Sequence, residues 1–284
     1  MNIGFIGAGK VGFSLGKYFS INSINLSGYY SRSFTSSKQA AEFTDSKAYE
    51  NIEEFLNATD IIFITTPDDM ILTVWNEIYK YKLQNKFICH CSGSLSSKIF
   101  SNLNNSGAFG YSIHPIYAFS DRYNSYKNLN EAFFSIEGDD KHIDTMKNIF
   151  KVLKNKYFVI AANNKPLYHL ASVTVSNLVL SLIDTGCEEL VSCGINGEDA
   201  LKALLPLIEN NIKNISKNGI INSLTGPVER GDLNTIKHHV EIIPFEFRNT
   251  YSELSFNLLK LSEKKHHDRD YSALKQYFNE IKNH

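Results

Sequence analysis

The chain lacks an excess of charge of either sign. Its 29 basic and 30 acidic side chains leave a formal net charge of −1 at pH 7. No basic stripe is present, which excludes a field steering the chain toward nucleic acid or an anionic membrane surface, although a local basic pocket can still meet a small anion. Cysteine is scarce: Cys89, Cys91, Cys187 and Cys193 make no disulfide or metal framework in 284 residues. Only Cys89-His90-Cys91 clusters. On a strand the two thiols share one face and His90 takes the other, poor geometry for one metal and ordinary for a buried strand. His238 and His239 are adjacent, so they diverge around a helix and make no metal pair. Reduced thiols suit a cytoplasmic protein, and no charged start leads into an apolar run and cleavage site, so secretion is not expected. The longest apolar stretch, Leu170 to Ile183, is interrupted by Ser172, Thr174, Ser176, Asn177 and Ser181. It is too short and polar to span a bilayer and reads as a buried helix. Internal repeats and low-complexity segments are absent, and the charged run from Glu263 to Asp270 reads as a solvated helix face or connector.

What is present is concentrated at the start. An apolar strand from Asn2 to Ile6 runs straight into Gly7-Ala8-Gly9-Lys10-Val11-Gly12, and Val11, Leu15 and Phe19 follow at helical spacing. Gly7 permits the tight turn, Gly9 lets the backbone approach a pyrophosphate, and Gly12 lets the helix pack closely on the strand, with the helix N-terminus facing the phosphates. About one βαβ unit on, a second strand from Ile24 to Tyr30 ends at Ser31-Arg32-Ser33. An NAD site usually carries an acidic residue there, and none is present. Arg32 can pair with a 2′-phosphate while Ser31, Ser33 and Thr35 supply hydroxyls, so NADP is favoured over NAD.

With 43% hydrophobic and 21% charged residues the chain has core enough for two domains. Helices near Thr35 to Phe43 and Ile52 to Leu56 alternate with strands at Asp60 to Thr65, Lys86 to Cys91, Phe109 to Ile113, Ala132 to Glu137 and Tyr157 to Ile160, with a further helix from about Lys141 to Leu153. The pattern is α/β, a Rossmann doubly wound parallel sheet. From Lys165 onward helical periods dominate, separated by turns at Gly194 to Gly197, Gly219 and Thr225 to Gly231. This divides the chain into a nucleotide-binding domain, 1–162, and a mostly α-helical C-terminal domain, 163–284, for substrate and dimerisation.

Ligands collect at the carboxyl ends of strands in open α/β sheets. Thr65, Thr66, Pro67, Asp68 and Asp69 are therefore expected to edge the cofactor groove and to cap the helix that begins near Asp69, and Ser92, in Ser92-Gly93-Ser94, to approach the nicotinamide. His114, after the strand at Tyr111 to Ile113, is placed to hold a substrate carbonyl or carboxylate. Lys165, His169, Ser172 and Ser176 recur at spacings of four, three and four, a polar stripe on one helix face with Asn177 on an apolar flank. Lys165 and His169 can each shuttle a proton or stabilise charge on a carbonyl oxygen, which complements hydride delivery. In Leu224 to Asp232, glycine and proline fix a turn, Asp232 is a good N-cap, and Arg230 can anchor a substrate carboxylate or phosphate. No metal site is expected.

The segments GFIGAGKVG at 4–12, SRS at 31–33, HCSG at 90–93, HPIYAF at 114–119, KPLYHLASVTVSN at 165–177 and LTGPVERGD at 224–232 together resemble the Rossmann-like NADP-dependent oxidoreductases whose C-terminal half is a helical domain of unknown function. The resemblance runs nearly end to end. It implies an NADP domain joined to a helical domain similar to that of 6-phosphogluconate dehydrogenases and pyrroline-5-carboxylate reductases, and a homodimer through the helices. In the wider β-hydroxyacid dehydrogenase superfamily a helix carries Lys and, four residues later, Asn. Lys165 matches the first, His169 replaces the second, and Ala161-Ala162-Asn163-Asn164 replaces the preceding glycine-rich segment. The expected activity is NADP-dependent hydride transfer to or from a small C=O or C=N substrate. The alternatives are an imine reductase similar to pyrroline-5-carboxylate reductase and a non-catalytic NADP-binding regulator.

Overall fold

The computed structural model describes residues 1–282. The chain divides into two compact units, residues 1–179 and Leu180 onward. The division falls later than residue 162, because the helix that begins at Lys165 packs that lysine into the first unit.

Eight strands form one sheet in the first unit: β1 (Ile3–Ile6), β2 (Leu26–Tyr30), β3 (Lys47–Tyr49), β4 (Ile61–Ile64), β5 (Phe87–His90), β6 (Phe109–Ile116), β7 (Phe133–Gly138) and β8 (Tyr157–Val159). Their order is β3-β2-β1-β4-β5-β6-β7-β8. All neighbours are parallel except β6 and β7. The strand order reverses beside β1, which puts the crevice between β1 and β4 at a switch point of the sheet.

Helices cover both faces, so the central strands are apolar throughout. On one face α1 (Lys10–Ile21), α2 (Phe34–Thr44) and α6 (Ile143–Leu153) pack Phe13, Phe19, Ala40 and Phe150 against Phe5, Phe63, Cys89 and Tyr111. On the other, α3 (Ile52–Ala58), α4 (Asp68–Ile78) and the short α5 (Leu103–Ser106) bring Phe55, Ile71 and Trp75 onto Ile62, Ile64 and Ile88. Each fully buried side chain of this size contributes roughly 1.5–3 kcal/mol. As alternation requires, Cys89 faces the first core and His90 stacks edge-on against Phe100 in the second. Strand β3 was not expected: its three residues are too few for a period, and pairing with β2 makes it a strand.

Two expectations are corrected. His114 does not follow its strand. It lies inside β6, opposite Ser135 of β7, because antiparallel pairing with β7 carries β6 on through Pro115 to Ile116. The stretch from Leu170 to Ile183 is not a buried helix. It is divided between α7 (Lys165–Val175) and α8 (Asn177–Ser192), with a break at Ser176, and Leu170, Val175, Leu178 and Leu180 are 54%, 75%, 51% and 66% exposed. Ala162–Ser192 is also long and apolar enough, by length and composition alone, to cross a membrane. Periodicity marks an apolar face but not what covers it.

The second unit contains the rest of α8, α9 (Gly197–Ser223, kinked at Gly219), α10 (Pro227–Arg230), α11 (Leu233–Ile242), α12 (Arg248–Lys265) and α13 (Ser272–Lys282). Its core joins Val228, Ile236, Leu259, Tyr271, Leu274 and Phe278. Asp232 caps α11 as expected, accepting from Thr235 N at 3.1 Å.

Candidate functional site

The glycine turn is shaped by contacts that exclude side chains. Gly7 has φ +105°, a left-handed conformation, and a Cβ on Gly12 would lie 2.6 Å from the Gly7 carbonyl oxygen. Thr65, buried beneath the turn, donates from Oγ1 to Gly7 O at 2.9 Å. It thus braces the loop from below, while Thr66 and Pro67 line the groove. A cavity of about 580 Å³ opens here, with Gly7, Ala8 and Gly9 at one end and Ser31, Arg32 and Ser33 at the other. Met70, Thr73, Val74 and Glu77 of α4 add to its lining, which sequence reasoning missed because their spacing reads simply as the amphipathic face of a helix. Ser31 Oγ donates to Ser33 O at 3.0 Å, and the Ser33 side chain caps α2 through Ser36 N. Arg32 stands exposed between them. The volume, the glycine cradle and the basic, hydroxyl-rich end fit a dinucleotide bearing a 2′-phosphate. Lys10 is exposed and Val11 half-buried at the start of α1.

A second group converges on the turn after β5. Lys165 is completely buried, and its Nζ donates to Ser92 O at 2.9 Å and Ser112 Oγ at 2.8 Å. Burial pulls this amine down to about 8, with Glu137, Cys91 and Asp68 opposing. The same burial, with the Lys165 and His169 charges, holds His114 down to about 4, so its imidazole is neutral at pH 7. His114 Nδ1 and the Tyr168 hydroxyl are 2.6 Å apart. Burial raises the Tyr168 pKa, which keeps that hydroxyl protonated. The rings of His114 and His169 meet at 90° over Gly93, where a Cβ would lie 2.7 Å from His169 Nδ1 and 3.0 Å from His114 Nε2. Any residue but glycine would drive this pair apart. His169 Nδ1 is buried with no partner among the described residues.

One contact links this group to the cavity. Asp68, next after Pro67 at the first turn of α4, accepts from Ser92 Oγ at 2.6 Å and from Ser94 Oγ at 3.3 Å. The turn that lines the cavity and the turn that holds Lys165 are thus joined side chain to side chain. Asp68 was expected at the edge of the groove but not in contact with Ser92, and Ser112 and Tyr168 were missed by sequence reasoning. Tyr168 had a legible signal, since it lies one turn of helix beyond Lys165 and flanks His169.

Two of the expected hydroxyls on α7 are taken up within their own helix. Ser172 Oγ donates to Tyr168 O, 3.4 Å away, and Ser176 Oγ to Ser172 O at 2.7 Å, so both hydroxyls bond back onto their own helix. Ser176 and Asn177 are exposed where the helix breaks. Arg230 is exposed at the end of α10 in the second unit. The half-buried residue there is its neighbour Glu229, whose carboxylate meets His266, Lys265 and Arg269. These contacts hold the Glu229 pKa below the usual carboxylate range, its bond to His266 being the main cause.

Residues 1–115 match the family model of a Rossmann-like domain, the class that the sheet order and glycine turn define. Residues 132–258 match a domain of unknown function, DUF2520. The two models thus match successive segments of the chain. No curated protein matches it. Among solved structures, the protein TM1727 from Thermotoga maritima is 29% identical, with a TM-score of 0.75 over 93% of this chain and 99% of that one. A Plasmodium falciparum pyrroline carboxylate reductase with NADP bound is 17% identical, with a TM-score of 0.60 over 93% and 97%. A reductive aminase from Aspergillus terreus, in complex with NADPH and ethyl-5-oxohexanoate, is 14% identical, with a TM-score of 0.63 over 98% and 99%. The last two likenesses are of fold alone.

Proposed function

We propose that this chain is an NADP-dependent oxidoreductase that moves hydride to or from the carbon of a small C=O or C=N substrate. The observation that carries this is the bond from Ser92 to Asp68, which joins the glycine-loop cavity to the Lys165, His114 and His169 group. A bound nicotinamide nucleotide supplies the hydride. The chain supplies the rest. Arg32 and the serines beside it hold the 2′-phosphate end. His114 and His169, half-buried over Gly93, are the groups that face substrate, and a neutral His114 donates a hydrogen bond to the oxygen or nitrogen where negative charge develops. Lys165 is sealed beneath the Ser92–Gly93 turn, so its role is that of a positioning residue. It fixes the turn through Ser92 O, and its charge adds to the burial that keeps His114 neutral.

The nucleotide assignment is tested on Arg32→Ala. We expect NADPH binding to weaken by about 1.5–3 kcal/mol, as for loss of a charged hydrogen-bond partner, with NADH binding unchanged. Equal effects on both nucleotides, read by fluorescence titration, would end the 2′-phosphate assignment.

A second copy of the chain is the proposed cover for the exposed apolar side chains of α7 to α9, among them Leu170, Leu178, Leu180, Leu207 and Ile212. The four free cysteines suit a reducing, cytoplasmic compartment. Light scattering on Leu180→Glu checks this. A dimeric wild type and a monomeric variant are expected; a wild-type monomer, or partition of the chain into detergent or lipid, would contradict it.

A further inference from the structure

The loop from Tyr117 to Asn124, after β6, returns across the N-terminal end of α1. It is held at both sides. The Asp121 carboxylate accepts from Tyr123 N at 2.7 Å and Asn124 N at 3.1 Å, and Tyr123 sets its ring edge-on against Phe13 and Phe43. Farther along, Leu129 is buried in the core, and its carbonyl accepts from Asn155 Nδ2 at 2.7 Å. At the crossing, the guanidinium of Arg122 lies 3.8 Å from the centroid of the Phe13 ring, and its Nη2 donates to Ala8 O in the glycine turn, 3.3 Å away. Its Nε is buried with no hydrogen-bond partner, and no carboxylate lies within ion-pair distance of it among the described residues.

A guanidinium presents five N–H donors in a flat fork. Here one face is stacked and one donor is bonded to the glycine turn, yet no anion among the described residues pairs with the charge. Stacking and the braced loop have already fixed the side chain, so little conformational freedom is left to lose on binding. We propose that Arg122 is a second phosphate-binding cation, a clamp from the far side of α1 on the bridging pyrophosphate that the glycine turn cradles. The inference rests on the dinucleotide reading and extends it. Arg32 recognises the phosphate that separates NADP from NAD, and Arg122 the phosphates that the two share. Its signature is therefore loss of affinity without loss of selectivity.

The experiment is titration of NADPH and NADH into wild type, Arg122→Ala and Arg122→Lys, with thermal unfolding of each protein in the absence of nucleotide. Arg122→Ala is expected to weaken both nucleotides alike, by roughly 10- to 100-fold. Arg122→Lys, which keeps charge and stem but not the fork, should weaken both several-fold. Unchanged affinities in Arg122→Ala, or a loss confined to NADPH, would overturn the clamp. If Arg122→Ala does not fold, Arg122→Lys decides: wild-type affinity overturns the proposal, and a several-fold loss on both nucleotides supports it. A wild type that binds neither nucleotide would defeat the dinucleotide reading itself, whereas a wild type that binds both beside an unaltered Arg122→Ala defeats the clamp alone.

Discussion

The nucleotide cavity and the Lys165 group are built on opposite plans. The cavity is made by backbone. Gly7, Ala8 and Gly9 are consecutive, they follow one strand and open one helix, and the side chains at the far end of the groove, Arg32 among them, are exposed to water. The other group is made of side chains from the turn after β5, from β6 and from α7, with Ser92, Ser112 and Lys165 buried and His114, Tyr168 and His169 half-buried. Burial of the Lys165 amine and desolvation of His114 beside one turn work against stability, and such perturbed groups cluster where chemistry is done. On the proposed function one region grips and the other reacts, and substitutions should separate the two.

The sharpest separation is expected from His114→Asn and His169→Ala. Each should lower kcat by on the order of 10²–10⁴, the usual worth of a positioned proton-handling or hydrogen-bonding side chain, while NADPH affinity is kept. Parallel loss of binding would break the comparison.

His90 is next. Burial holds its imidazole down to about 4, against 6.5 when exposed. The unfolded chain therefore takes up the proton first, and the stability due to neutral His90 is complete above pH 6.5 and is lost as pH falls toward 4, by about 3 kcal/mol. Urea unfolding from pH 7 to pH 4 should show this slope in wild type and a shallower one in His90→Asn. Equal slopes would show that His90 contributes none of it.

The smallest effect belongs to Lys165→Met. Loss of the bonds to Ser92 O and Ser112 Oγ lets the turn shift under the histidines, expected to cost on the order of 10- to 100-fold in kcat. The pH profile distinguishes positioning from mere packing. Lys165 carries its proton below about 8 and sheds it above, so the wild-type rate should change through that region and the variant's should not. A profile that survives the substitution would remove Lys165 from the account.

How much of this was legible follows from the same contrast. Backbone sites are written in consecutive residues, so the glycine turn and the mostly parallel sheet around it were readable, whereas β3 and the antiparallel pairing of β6 with β7 were not. Side-chain sites are written across the chain. The spacing of Lys165 and His169 marked a polar face on α7, but nothing in it indicated that Lys165 lies under Ser92 or that Asp68 reaches the same turn. The apolar pattern from Leu170 to Ile183 was read as core because a face covered by its own chain and one left exposed have the same period. Arg122 sits in a loop without periodicity, where the only sign was a cation among Tyr117, Phe119, Tyr123 and Tyr126.

The central claim is that grip and reaction meet at the Asp68–Ser92 contact. Its most direct test is fluorescence titration of wild type with NADPH and NADH, with and without pooled small oxo acids and cyclic imines. Tight, NADPH-selective binding with oxidation of the nucleotide in one pool is the predicted result, and the pool that reacts names the substrate class. Tight binding with no turnover in any pool would contradict the reactive half of the account and favour a nucleotide-binding regulator, and failure to bind either nucleotide would contradict the whole.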